Sequence, residues 1–138
     1  MNRRNLQQLA EERILDGQTL LHAGRWSGAY YLTGYAVECG LKACVLKRME
    51  QTGVVFQDPK FSQRCFTHDL DELLTLADLK PAHGLVIQAS AAFRANWDLV
   101  NQWSEQTRYR TTDEAVATTC FAAVTGADGV MPWIRGTW

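Results

Sequence analysis

The stretch Ala29–Leu46, AYYLTGYAVECGLKACVL, decides the fold. Around it the sequence predicts a helix from about Trp26 to Gln51. Its apolar residues Tyr31, Leu32, Tyr35, Ala36, Val37, Cys39, Leu41, Ala43, Val45 and Leu46 spread around most of the circumference. A helix apolar on most sides belongs at the centre of a packed set of helices. The small residues Ala29, Thr33, Ala36, Gly40 and Ala43 recur at three- and four-residue steps and offer a seam where another backbone comes close. Against this background Glu38 and Lys42 stand out, one turn apart in the favourable orientation for an ion pair. Tyr31 and Tyr35 extend the same line toward the N-terminus. An unpaired charge in the middle of a core costs several kcal/mol, so each must find a partner or reach water.

Outward from this helix the pattern stays helical. Three prolines interrupt the chain, no strand-like alternation persists, and apolar residues recur at three- and four-residue steps in five places, which predicts an all-α protein. The first helix is expected from about Asn5 to Ala23, with Ala10, Ile14, Gly17 and Leu21 on one side and Gly24 as its stop. Residues 52–66 read as a long ordered loop. A short third helix follows, capped by Thr67 or a neighbour, with Leu70, Leu73, Leu74 and Ala77 on one face and LKPAHG as its end. A fourth helix is expected from about His83 to Trp103 along Val86, Ala89, Phe93, Trp97, Val100 and Trp103. A fifth starts from a box of Thr111 and Glu114, buries Val116, Cys120, Ala123, Ala127, Met131 and Ile134, and is kinked or ended by Pro132.

The 138 residues, 46% hydrophobic and 21% charged, suit one globular domain spanning 1–138. A formal net charge of -1 gives no overall pull toward polyanions, so any such contact must come from a local cluster. The chain has no apolar run of membrane-spanning length and begins without a secretory signal pattern, so a cytoplasmic location is expected. Cys39, Cys44, Cys65 and Cys120 lack metal-ligand spacing and are expected as ordinary buried or half-buried thiols. No metal site and no cofactor motif is read: TGADG lacks the Lys-Ser/Thr of a phosphate loop, and no G-x-S-x-G elbow occurs.

Candidate chemistry gathers in TRYRT, residues 107–111. Arg108 is the most attractive distant partner for Glu38, in which case Glu38, Lys42 and Arg108 form a network holding that linker. Alternatively, Arg108 and Arg110 face phosphates, with Tyr109 between them as a stacking surface. Of the three histidines, His22 suits the C-terminal end of the first helix dipole, and His83 falls in a turn after Pro81. His68, beside Asp69 at the start of the third helix, can serve as a cap or a proton-transfer group.

The segments LLHAGRWSGAYYLTGYAVECGLKA, FTHDLDELLTLADL and NWDLVNQWSEQTRYRT, followed by VMPWI, resemble the HEPN domain, the higher eukaryotes and prokaryotes nucleotide-binding family. The resemblance implies an antiparallel four-helix bundle with a short additional helix, commonly a homodimer, with a cleft near the dimer seam. Many members are metal-independent RNases of toxin–antitoxin or defence systems, some encoded beside a nucleotidyltransferase partner, and others bind without cleaving. Catalytic members carry an arginine followed after four to six residues by a histidine. Arg108 matches the arginine, but YRTTDEA after it holds no histidine, so the motif is degenerate. The resemblance thus implies a dimeric module that binds RNA, a nucleotide or a partner through Arg108, Tyr109 and Arg110, with Lys42, Tyr35 and Glu38 shaping the cleft. The alternative is an endoribonuclease that uses Arg108 with another base; Glu38, Tyr109 and His68 are the candidates, and spacing does not select among them.

Overall fold

Helix α2, Trp26–Thr52, is the axis around which the other elements are arranged. In the computed structural model, which describes residues 1–138, the chain is helical with no strand. Helix α1 spans Arg3–His22, and a 3-10 turn at Val54–Phe56 leads to α3, Phe61–Arg64. Helices α4, Leu70–Leu76, α5, Lys80–Ala89, and α6, Ala91–Val100, follow. A second 3-10 turn at Glu105–Tyr109 precedes α7, Glu114–Thr125, and α8, Val130–Arg135. Helix α2 packs against α1, α4, α7, α8 and the second 3-10 turn. It buries residues on every side, from Ala29 and Tyr30 to Cys44 and Val45, and contributes to a core cluster of 27 buried residues.

The small residues of α2 work as close-approach points. A Cβ at Gly17 of α1 would lie 2.7 Å from Thr33 Oγ1, so the α1–α2 seam closes at Gly17, Ala29 and Thr33. Gly40 faces Ile134 and Met131 of α8. The tightest contact is Gly34, where an added Cβ would come within 2.2 Å of the Trp103 ring. Trp103 follows α6 and is buried, so this contact fixes where the chain turns into the segment carrying Glu105 and Arg108.

Several boundaries differ from the sequence reading, each for a local reason. Helix α1 starts at Arg3 because Asn2 and Asn5 form a reciprocal capping box. The loop at 52–66 contains the first 3-10 turn and α3. Asp69, not Thr67, caps α4 by accepting from Glu72 N. LKPAHG does not simply end a helix: it opens α5, with Pro81 in the first turn where a missing N–H is harmless. The expected fourth helix is broken at Ser90, whose backbone is extended and whose hydroxyl accepts from Phe93 N to begin α6. Val86 is only half-buried as a result. In the last region Asp113 is the cap instead of Thr111, and α7 ends at Gly126. Val116 is therefore exposed at 48%, Ala127 is exposed, and Pro132 sits in the first turn of α8 instead of kinking a longer helix. No helix is long and apolar enough to cross a membrane.

Candidate functional site

Glu38 is buried at 2% exposure and is the anchor of a charged chain. Lys42 Nζ donates to Glu38 Oε1 at 2.9 Å, and His68 Nδ1 meets the same oxygen at 2.9 Å. The other ring nitrogen of His68, Nε2, lies 3.1 Å from Glu105 Oε2. Glu38 Oε2 is buried without a partner. The line of Glu38 and Lys42 expected along α2 is thus real, and the carboxylate lies beneath it with Lys42 and His68 half-exposed above. The expected Glu38–Arg108 pair does not form. Arg108 lies against the Tyr109 ring instead, and His68 reaches Glu38 from the turn before α4. That turn is fixed by Thr67 Oγ1, which accepts from Asp69 N at 3.1 Å, and by the Asp69 cap.

His68 and Glu105 stand on opposite walls of a cleft of about 560 Å³ formed by residues 67–71 and 101–106. The other carboxylates around it are already engaged: Asp69 in the helix cap, and Asp71 with Lys80. With Glu105 on His68, the walls carry more acidic than basic groups.

Arg108 belongs to a different face. Its guanidinium centre lies 4.8 Å from the centroid of the Tyr109 ring, and the nearby Tyr109 and Tyr31 side chains, with the charge of Glu105, raise the pKa of an already basic group. Tyr31 in turn stacks parallel to Tyr35 at 6.2 Å and leans on Trp103 at 6.0 Å. Tyr109 is 73% exposed, and Arg108 and Arg110 are exposed and form no salt bridge, although the charge of Glu105 reaches Arg108. The charge of Arg110 reaches Tyr30 at the other side of α2. The result is a cationic, aromatic face next to the acidic cleft, joined to it through Trp103 and the turn Glu105–Tyr109.

Burial limits what the neighbouring groups can do. It pushes the Tyr35 hydroxyl up to about 12 and the Cys39 thiol up to about 11. Tyr35 therefore offers its ring and not a reactive oxygen. The Cys120 thiol is pushed up to about 12 by burial, and Cys44 is buried as well, leaving Cys65 half-buried. These thiols stay protonated near neutral pH and are poor nucleophiles.

The structure therefore brings together Glu38, Lys42 and His68 as one set and Arg108, Tyr109 and the Tyr31–Tyr35 stack as another. Glu105 was missed by sequence reasoning, although an acidic residue three positions before Arg108 in a short turn was the available signal. His83 is also corrected: it lies within α5 and is buried, with its ring 4.5 Å from Trp97 and 5.5 Å from Trp133. His22 is exposed at the end of α1. No family model, curated protein or solved structure matches the chain.

Proposed function

We propose that this chain is a HEPN-type module of a toxin–antitoxin or defence system that acts as a homodimer and binds RNA through Arg108, Tyr109 and Arg110. The observation that carries the reading is the pair of exposed arginines that form no salt bridge, with the Arg108 guanidinium 4.8 Å from an exposed tyrosine ring. An arginine fork suits a phosphodiester, and a tyrosine face suits an unpaired base, so single-stranded RNA fits better than a duplex. The Tyr31–Tyr35 stack lies beside Arg108 and adds aromatic surface to the same face. The resemblance noted in the sequence adds the dimer and a nucleotidyltransferase-type partner to the proposal, and a cytoplasmic setting is proposed with them.

A second reading, a metal-independent endoribonuclease, is favoured by one specific contact. Glu38 Oε1 orients His68 Nδ1 at 2.9 Å, as a buried carboxylate orients an imidazole that handles protons. In that reading His68 takes the 2′-OH proton in place of the histidine missing after Arg108, and Arg108 steadies the charge on phosphorus.

Incubation of labelled total RNA with purified protein in excess chelator separates the two. The binding module forms a complex and leaves the RNA intact. Cleavage that disappears in both Arg108→Ala and His68→Ala, with each variant still folded at the assay temperature, would establish the enzyme instead. Light scattering at micromolar concentration should report a dimer, and a 15.6 kDa species would refute that part.

A further inference from the structure

We propose that Glu105 is an internal stand-in for a phosphate: it occupies His68 Nε2 in the free protein and must swing away before RNA can use that nitrogen. This rests on the reading that the neighbouring face takes RNA, and it adds a second phosphate contact guarded by the chain itself.

Three observations support it. First, His68 is oriented from behind. Its Nδ1 is 2.9 Å from Glu38, a residue 2% exposed that has no room to turn away, so Nε2 is aimed across the cleft. Second, the group that meets Nε2 is an anion, Glu105 Oε2 at 3.1 Å. A ring carrying both protons donates at both contacts, and a phosphate oxygen would satisfy Nε2 as the carboxylate does. Third, Glu105 is the easiest of the cleft carboxylates to move. Its side chain is 32% exposed and its only ion pair is with His68, whereas Asp69 caps α4 and Asp71 pairs with Lys80.

Position makes the exchange concerted. Glu105 opens the same 3-10 turn that ends with Arg108 and Tyr109. A strand held by Arg108 brings negative charge toward Glu105, which repels it and favours its exit into water. The free protein is thereby held in a form with reduced affinity, since a ligand must first displace the carboxylate.

The test compares binding of a fluorescent single-stranded RNA oligonucleotide to wild type, Glu105→Gln, Asp71→Asn and the double variant Glu105→Gln/His68→Ala. Glu105→Gln keeps the shape of the side chain and should bind roughly tenfold tighter, the scale of one charge-assisted hydrogen bond gained. Asp71→Asn makes the same change in net charge and also frees Lys80, yet it should alter affinity by less than about twofold, the scale of one screened surface charge. The double variant should lose the gain. Equal gains in Glu105→Gln and Asp71→Asn would reduce the effect to bulk charge and overturn the proposal, as would a gain that survives loss of His68. If wild type and Arg108→Ala prove equally unable to bind RNA, the RNA reading fails while the guard remains testable with inorganic phosphate. In that titration the His68 ring signals in NMR should move in Glu105→Gln and stay fixed in wild type; signals fixed in both would overturn it.

Discussion

Glu38 is a buried carboxylate held by partners from two different elements. A charge at the middle of α2 had to be satisfied, and Lys42 four residues on does so. The second partner is His68, which lies 30 positions away in sequence and reaches Glu38 only because the Thr67–Asp69 turn aims it. Arg108 lies against the Tyr109 ring and makes no salt bridge with Glu38. Two predictions follow at this scale. Removing Lys42 or His68 singly, as the alanine variants, leaves Glu38 one partner and should cost about 1–3 kcal/mol in urea unfolding. Removing both leaves a buried carboxylate uncompensated and should cost about 3–5 kcal/mol, with coupling between the sites. Arg108→Ala should melt at the wild-type temperature, because its contacts are on the exposed tyrosine face. A marked fall in melting temperature would show that Arg108 is structural after all.

Among the elements, α2 was the most legible and the region after α4 the least. An all-round apolar surface with small residues at regular steps reports a central helix whatever its neighbours are. The break at Ser90 was hidden because the apolar spacing of α5 and α6 runs through it, while the cap of Phe93 N by the serine hydroxyl is a single local bond. Likewise one continued pattern masked the end of α7 at Gly126, where the chain turns to place α8 on Gly40. The glycines discriminate this arrangement directly. Gly34→Ala must push the Trp103 ring aside and should destabilise by about 1–3 kcal/mol or more. It should also weaken RNA binding by shifting the turn that carries Arg108. Gly84→Ala, in the middle of α5 with nothing within 4 Å of the new Cβ, should stabilise by about 0.5–1 kcal/mol through helix propensity. Thermal melts of the pair check both signs.

For the molecule as a whole, two titratable features separate stability from function. His83 of α5 is enclosed by Phe93, Trp97 and Trp133, and burial holds its pKa below the ordinary value of 6.5, with Lys80 adding to the effect and Asp71 opposing it. The unfolded chain therefore takes up a proton before the folded one does. Stability is unaffected above about pH 6.5 and falls as pH drops from there toward the depressed folded value. His83→Phe should flatten that part of the stability profile in urea titrations between pH 7.5 and 5, and an unchanged slope would show that another group is responsible. The proposed functional face lies elsewhere, on the Glu105–Tyr109 turn and the tyrosines of α2. Its arginines were legible as a motif, but the separation of a cationic aromatic face from an acidic cleft needed the fold, because only the fold puts His68 opposite Glu105.

The proposal that Arg108 and its neighbours bind RNA is tested most directly by the salt dependence of that binding. Anisotropy titrations of a single-stranded RNA oligonucleotide at a series of salt concentrations, with wild type and Arg108→Ala, give affinity and slope together. The account predicts that the variant binds about tenfold more weakly and that its slope of log affinity against log salt is shallower by about 0.7, the signature of one lost phosphate contact. Equal affinities with parallel slopes would contradict it.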